Sequence, residues 1–173
     1  MRIIAGEHRG RRIAAPQGDK TRPTSDRVRE NAFNLIGPVD GATVLDLFAG
    51  SGAMGLEALS RGAASCVFVE SDREACRVIN ANLEVLRLRE TVLCRDVFSA
   101  LASDNGPYDL VLCDPPYDFK ARGRLVPHLV RLLAEDGVLV YESSSRADLP
   151  EVPPLDVRTS RVYGSARLTL FTR

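Results

Sequence analysis

The sequence predicts an α/β fold: a mostly parallel seven-stranded sheet with helices on both faces, a closing antiparallel hairpin and a small N-terminal β-hairpin extension. Three observations predict it. Five short apolar runs alternate with helix-period stretches between residues 43 and 141, and that alternation implies parallel strands covered on both sides. Two further strand-like runs flank Tyr163-Gly164-Ser165, the pattern of a terminal hairpin. The chain has 173 residues, 45% of them apolar and 27% charged, the size and balance of one soluble domain with a real core.

The elements follow in order. Arg2-Ile3-Ile4-Ala5 and Arg11-Arg12-Ile13-Ala14 flank a turn with Gly6 and Gly10, and read as the basic hairpin. Pro16 to Pro23 is a loop, and Thr24-Ser25-Asp26 offers N-caps for a helix carrying Val28, Ala32, Leu35 and Ile36 until Gly37-Pro38 stops it. Val44 to Phe48 is the first strand of the main sheet. A glycine-rich turn leads into a helix over Met54 to Arg61. Cys66 to Val69 is a strand, and Asp72 caps a helix with Cys76, Ile79, Leu83 and Leu86 on one face. Thr91 to Cys94 is the next strand, followed by a short helix over Val97 to Leu101. Tyr108 to Cys113 is a strand, Leu125, Leu129 and Leu132 mark a helix, and Gly137 to Tyr141 is a strand. Asp156 to Val162 and Arg167 to Phe171 complete the sheet.

Charge and cysteine usage exclude several classes. Lys plus Arg and Asp plus Glu both number 23, so no global field attracts a polyanion or a membrane. No apolar run reaches the roughly 18 residues of a membrane span, and the N-terminus lacks a signal-peptide stretch, so the expectation is a cytoplasmic chain with no membrane partner. Cys66, Cys76, Cys94 and Cys113 have no C-x-x-C or zinc spacing; they read as small buried thiols, with no metal site and no disulfide framework. The neutral total hides a separation. Residues 1–29 hold eight basic side chains (Arg2, Arg9, Arg11, Arg12, Lys20, Arg22, Arg27, Arg29) against three acids, so the remainder is acidic by the same margin. A basic arm of this kind suits contact with a nucleic-acid backbone through arginine forks.

Gly50-Ser51-Gly52-Ala53-Met54-Gly55 has the G-x-G-x-x-G spacing between a strand and a helix, and Glu70 ends the next strand, where an acid can hold ribose hydroxyls. This spacing alone also fits a dinucleotide site. Asp46 discriminates, because a carboxylate just before the turn would repel a pyrophosphate and suits the sulfonium and ammonium of S-adenosylmethionine. Asp96 ends the third strand, where it could accept from an adenine amine or cap the following helix.

Asp114-Pro115-Pro116-Tyr117 ends the fourth strand. The prolines stiffen the backbone and leave carbonyls free. The Asp114 carboxylate and the Pro115 carbonyl match the two hydrogens of an exocyclic amino group on a base, and Tyr117 can stack on that base. The base must leave its stack to arrive there.

These residues resemble a Rossmann-like class I methyltransferase acting on an amino group. Asp46-Leu47-Phe48-Ala49-Gly50-Ser51-Gly52 is similar to its cofactor motif, and Asp114-Pro115-Pro116-Tyr117 to its catalytic motif. Met1 to Gly6, Arg9-Gly10-Arg11-Arg12 and Thr21 to Glu30 closely resemble the RsmD family, which methylates the N2 amine of one guanine in small-subunit ribosomal RNA. The resemblance implies S-adenosylmethionine as cofactor, with S-adenosylhomocysteine as product. It implies cofactor contacts at Asp46, Phe48, Gly50, Gly52, Glu70, Ser71, Asp96, Val97, Arg22 and Thr24, and RNA contacts at Arg2, Arg9, Arg11, Arg12, Lys20, Arg27 and Arg29. It further implies a cofactor-covering N-terminal part over residues 1–37, a methyltransferase domain over 38–173, a monomer, and ribosomal RNA within the small subunit as partner. The competing readings are an adenine-N6 DNA methyltransferase, a nicotinamide-dependent oxidoreductase, which Asp46 disfavours, and a non-catalytic RNA-binding module.

Overall fold

The computed structural model describes residues 1–16 and 26–173. Seven strands, β1 (Thr43–Leu47), β2 (Ser65–Glu70), β3 (Thr91–Cys94), β4 (Tyr108–Cys113), β5 (Leu133–Ser144), β6 (Asp156–Tyr163) and β7 (Ala166–Thr172), form one sheet in the order β3-β2-β1-β4-β5-β7-β6. Strands β1 to β5 run parallel, and β7 is antiparallel to both β5 and β6. The helices are α1 (Asp26–Ile36), α2 (Ala53–Ser60), α3 (Arg73–Leu86), α4 (Val97–Ser103) and α5 (Arg122–Leu132). This is the class I methyltransferase architecture. The strand order reverses between β1 and β4, and in open α/β sheets ligands bind outside the carboxyl ends of the strands at such a reversal.

Side-chain alternation along the strands divides the core in two. Val44, Leu110 and Leu112 face a cluster with Leu56, Ile79, Leu83 and Leu86, while Leu45, Leu47 and Val111 face Val97, Leu101, Leu125 and Leu129. Both faces are therefore buried, which is why the strands read as continuous apolar runs. Asp72 caps α3 as its sequence position suggests, its Oδ1 accepting from the Ala75 N–H at 2.9 Å.

The N-terminal segment is built into the first of these cores. Ile3, Ile13, Phe33 and Ile36 are buried in the same cluster as Val44 and Leu56. The expected β-hairpin is present in short form: Arg2 bridges Arg12, the Ile3 N–H donates to the Arg11 carbonyl and the Gly10 N–H to the Ile3 carbonyl, both at 2.9 Å, and the Ile13 N–H to the Met1 carbonyl at 3.1 Å. The hairpin is tied to α2: the N–H groups of Ile4 and Ala5 donate to the two carboxylate oxygens of Glu57, at 2.8 and 3.0 Å. Gly6 then passes so close to the end of α2, with φ +81°, that a Cβ there would lie 1.7 Å from the Ser60 carbonyl oxygen. The Glu7 N–H donates to that same carbonyl at 2.8 Å.

Glu57 is fully buried and is held by two arginines, Arg29 Nε at 3.4 Å and Arg61 Nε at 2.8 Å. Arg29 is also fully buried, and it donates to the Arg2 carbonyl and to Asp26. Two other expectations are corrected. Strand β5 runs from Leu133 to Ser144, well beyond Gly137 to Tyr141, because Leu133 pairs with Tyr108 past a bulge and residues 142–144 pair with β7. Cys66, Cys76 and Cys113 are buried free thiols, but Cys94 is exposed, since it ends an edge strand. Among the described residues no helix is long and apolar enough to cross a membrane.

Removing one partner of a buried ion pair strands the other charge and costs about 3–5 kcal/mol. Urea denaturation of Glu57→Ala should show a loss of that size; a loss below about 1 kcal/mol would mean that Arg29 finds other partners at little cost.

Candidate active site

Parallel strands bring their carboxyl ends to one edge, and four acids meet there. Asp46 is the penultimate residue of β1, Glu70 the last of β2, Asp96 follows β3 by two residues and Asp114 follows β4 by one. Each has a distinct local role. Asp46 is 4% exposed and its Oδ2 accepts from the Gly55 N–H at 2.9 Å, tying the strand to the first turn of α2. Glu70 accepts through Oε2 from the Gly50 N–H and through Oε1 from the Asp72 N–H, both at 2.8 Å, with the Ser71 hydroxyl at 3.5 Å. It thus braces the glycine turn from the neighbouring strand. Asp96 caps α4, accepting at Oδ1 from Phe98 and Ser99 at 3.0 and 3.2 Å.

The turn between β1 and α2 is held in an uncommon conformation. Phe48, Gly50 and Gly52 have φ of 59°, 56° and 76°. Left-handed backbone is natural for glycine and unusual for phenylalanine, and such residues gather at ligand sites. Phe48 is fixed by an edge-on contact with Phe119, ring centroids 5.3 Å apart. Phe119 in turn stacks on Phe98 at 6.3 Å. These rings make an aromatic wall beside the acids, suited to stacking on a heteroaromatic ring.

The electrostatics favour a cation. Burial, together with the charges of Asp114 and Glu70, pushes the Asp46 carboxyl up to about 8. Burial likewise pushes Asp114 up to about 6. Among the described residues none of Asp46, Glu70 or Asp114 forms an ion pair. Acids that crowd one another out of water without a counter-ion are relieved by a positively charged ligand and repel an anionic one.

The segment after β4 adds two acceptors. Among the described residues the Asp114 carboxylate accepts no hydrogen bond, and the Pro115 carbonyl takes no backbone donor, whereas the Pro116 carbonyl is closed off by the Phe119 N–H at 2.9 Å. Pro115 is buried, and Tyr117 is 54% exposed at the mouth. A carboxylate and a free carbonyl side by side can take both hydrogens of one amino group.

The structure brings together Asp46, Phe48, Gly50, Gly52, Glu70, Ser71, Asp96 and Asp114 to Tyr117. The Val97 side chain is in the core, so only its backbone faces the edge. Arg22, Thr24 and Lys20 lie outside the described residues. Of the basic arm, Arg2, Arg9, Arg11, Arg12 and Arg27 are exposed, with Arg2 beside Asp26 at 3.5 Å and Arg11 donating to the Val85 carbonyl at 2.7 Å. Arg29 is corrected: it is buried against Glu57 and presents nothing to an RNA. Sequence reasoning misses Phe98, Phe119, Arg122 and Asn82. Asn82 is buried and donates to the carbonyls of Ala14 and Ser51, both at 3.1 Å, joining the N-terminal arm to the glycine turn. The larger surface hollow, about 360 Å³ around Phe33, Pro38 and Arg61, involves none of these acids and precedes β1, at the opposite edge of the sheet.

Comparison with known proteins agrees with this geometry. A family model described as conserved hypothetical protein 95 matches residues 1–172. The chain is 39% identical over 183 residues to YlbH of Bacillus subtilis (strain 168), covering 100% of this chain and 99% of that protein. It is 38% identical over 182 residues to ribosomal RNA small subunit methyltransferase D of Escherichia coli (strain K12), covering 100% and 90%. The solved structure of yhhF from Escherichia coli superposes with a TM-score of 0.90 at 37% identity, covering 100% of this chain and 97% of that one.

The raised carboxyl of Asp46 has a measurable consequence. The native group keeps its proton up to about 8, against 3.8 ordinarily, so between those values the native state binds the extra proton. Its contribution to stability is complete at low pH and is lost as pH rises towards 8. Asp46→Asn, which keeps an acceptor for Gly55, should gain stability relative to wild type as pH rises from about 5 to 8 in denaturation series. A difference that stays constant across that window would show Asp46 to be ionised throughout.

Proposed function

The chain belongs to the conserved hypothetical protein 95 family, the RsmD family, and from that premise we propose that it transfers a methyl group from S-adenosylmethionine to the exocyclic N2 amine of a guanine in small-subunit ribosomal RNA. The observation that carries the reading is the pair of unengaged acceptors, Asp114 and Pro115, on the same sheet edge as three further acids. The match to ribosomal RNA small subunit methyltransferase D supports an RNA methyltransferase, and the basic arm supports a polyanionic substrate.

Bound S-adenosylmethionine supplies an activated methyl group on a sulfonium. The crowded acids fit such a cation: Asp46 would meet its charged end, Glu70 would hold the ribose hydroxyls, and Asp96 with the Phe98 ring would hold the adenine. The residues of the chain do the rest by positioning. An arylamine is a poor nucleophile because its lone pair is delocalised into the ring. Asp114 and the Pro115 carbonyl accept its two hydrogens, draw the nitrogen towards a tetrahedral shape and aim the lone pair. Fixed acceptors in a water-poor site cost no reorganisation at the moment of reaction. The methylated amine carries one proton too many, and the Asp114 carboxylate, pushed up to about 6, lies within reach to receive it. Tyr117 offers a face on which the extruded base stacks. The exposed arginines hold phosphates and carry no sequence information.

Two experiments test this. Mass spectrometry of ribosomal RNA from cells lacking the protein should find one methylguanosine missing from the small subunit; it should return with wild type and not with Asp114→Ala, whose cofactor affinity should stay within a few-fold. Restoration by Asp114→Ala would remove the proposed clamp. Separately, replacing Arg9, Arg11 and Arg12 with Ala should weaken RNA binding and reduce the slope of log K against log salt by roughly 1 for each phosphate left without its arginine. An unchanged slope would put the RNA elsewhere.

A further inference from the structure

The pocket beside the clamp has a second wall that the amine does not use. A cavity of about 30 Å³ lies between the residues after β4, the end of β5 and the start of α5, bordered by Pro115, Tyr117, Phe119, Arg122, Tyr141 and Ser143. Ser143 is 5% exposed, and its hydroxyl has no hydrogen-bond partner among the described residues. The Nε–H of Arg122 is buried and unpaired in the same way, while its guanidinium lies over the Tyr141 ring, Cζ 5.5 Å from the centroid. Arg122 opens α5, whose N-terminus has no side-chain cap. Glu142 also borders the cavity and is engaged with another group of the chain.

Buried polar groups are nearly always paired, so two orphans around one cavity ask for a partner. Arg122 can only donate, a hydroxyl can donate, and the end of α5 adds positive potential. The missing partner is therefore an acceptor. The cavity is large enough to admit a polar atom of a ligand. We infer that Ser143 and Arg122 receive the carbonyl oxygen, O6, of the target guanine and so select guanine over adenine.

This rests on the guanine-N2 reading above. With its amine on Asp114 and Pro115, guanine presents N1–H and then O6 along the same edge. Adenine, held by its own amine, presents N1 and then a C2–H. The clamp accepts either amine; only guanine satisfies the donors. A site built to pair a polar group rejects an analogue lacking it far better than an apolar pocket rejects a misfit.

The discriminating substrate is small-subunit RNA with 2-aminopurine at the methylated position, which keeps the 2-amino group and lacks O6. Wild type should favour guanine over 2-aminopurine in kcat/KM by about 100-fold or more. In Ser143→Ala that ratio should fall by about tenfold, and further in Ser143→Ala with Arg122→Met. RNA carrying inosine, with O6 but no amine, should compete against wild type and compete less well against the variants. Thermal unfolding of each variant separates loss of fold from loss of selection. A wild type that treats guanine and 2-aminopurine alike, or variants that lose rate equally on both, would overturn the inference and leave the guanine-N2 reading standing. A wild type that methylates no guanine N2 would overturn both.

Discussion

Glu57 is the point on which the rest of the architecture depends. Its carboxylate is wholly inside the protein, and each oxygen serves one backbone N–H of the N-terminal arm and meets one arginine: Oε2 accepts from Ile4 and forms an ion pair with Arg29 at 3.4 Å, while Oε1 accepts from Ala5 and Arg61. An isolated buried carboxylate would be very costly, and it persists only because all of these donors converge on it. The consequence is geometric. The arm, α1 and α2 meet at one residue, so the arm sits on the body in a single orientation. Apolar burial of Ile3 and Ile13 would hold the arm in place, but apolar contact is non-directional. The fixed angle comes from the charge-assisted bonds.

That orientation matters because α2 begins at the glycine turn. Gly55, in the first turn of α2, donates to Asp46, and Glu57 lies two residues further along the same helix. Asn82 makes a second link, from Ala14 of the arm to Ser51 of the turn. The arm that carries the exposed arginines is thus joined, at two places, to the glycine turn and the helix it opens. On the proposed reading, a nucleic acid held by Arg9 and Arg12 would pull on an element that is part of the pocket's frame rather than on a loose tail. The sheet edge itself is electrostatically unfavourable, since Asp46 is pushed up by burial and by Asp114 and Glu70. Acids gathered in this way weaken the fold locally and are retained where a ligand offsets them.

Much of the fold is legible in the sequence, for identifiable reasons. Strands β1 and β4 are buried on both faces, so their apolar runs are continuous and sharply bounded, and β4 occupies Tyr108–Cys113 as the pattern predicts. The acids at the strand ends are legible because parallel topology dictates where strand ends go. Glu57 is not. An acid between Leu56 and Ala58 in a short helix reads as solvent-facing, and its burial depends on Arg29, whose sequence neighbours Asp26, Arg27 and Glu30 suggest a solvated basic face. The hairpin itself is legible but its anchorage is not, because the acceptor that takes the Ile4 and Ala5 N–H groups lies some fifty residues away. The length of β5 is hidden by Glu135 and Asp136, which look like a loop and are part of the strand. The aromatic wall is likewise a tertiary product: Phe48, Phe98 and Phe119 stand in three different connections and meet only in the fold.

On the proposed reading, the extended β5 lets one architecture separate reaction from selection. The clamp after β4 needs only an amino group with two hydrogens, and adenine and guanine both have one. Had β5 stopped at Tyr141, level with Cys113 of β4, nothing would face the far side of the base. Its continuation through residues 142–144 is held by pairing with Arg167 and Ala166 of β7, so the closing hairpin supports the strand end that carries Ser143. On that reading, the acceptors for the amine follow β4 and the Ser143 donor ends β5, adjacent strands of one sheet, while the Arg122 donor comes from the start of α5. The spacing of the two strand ends is set by the fixed separation of paired strands. A ring whose carbonyl and amine share one edge can span both walls, and a ring without the carbonyl reaches only one.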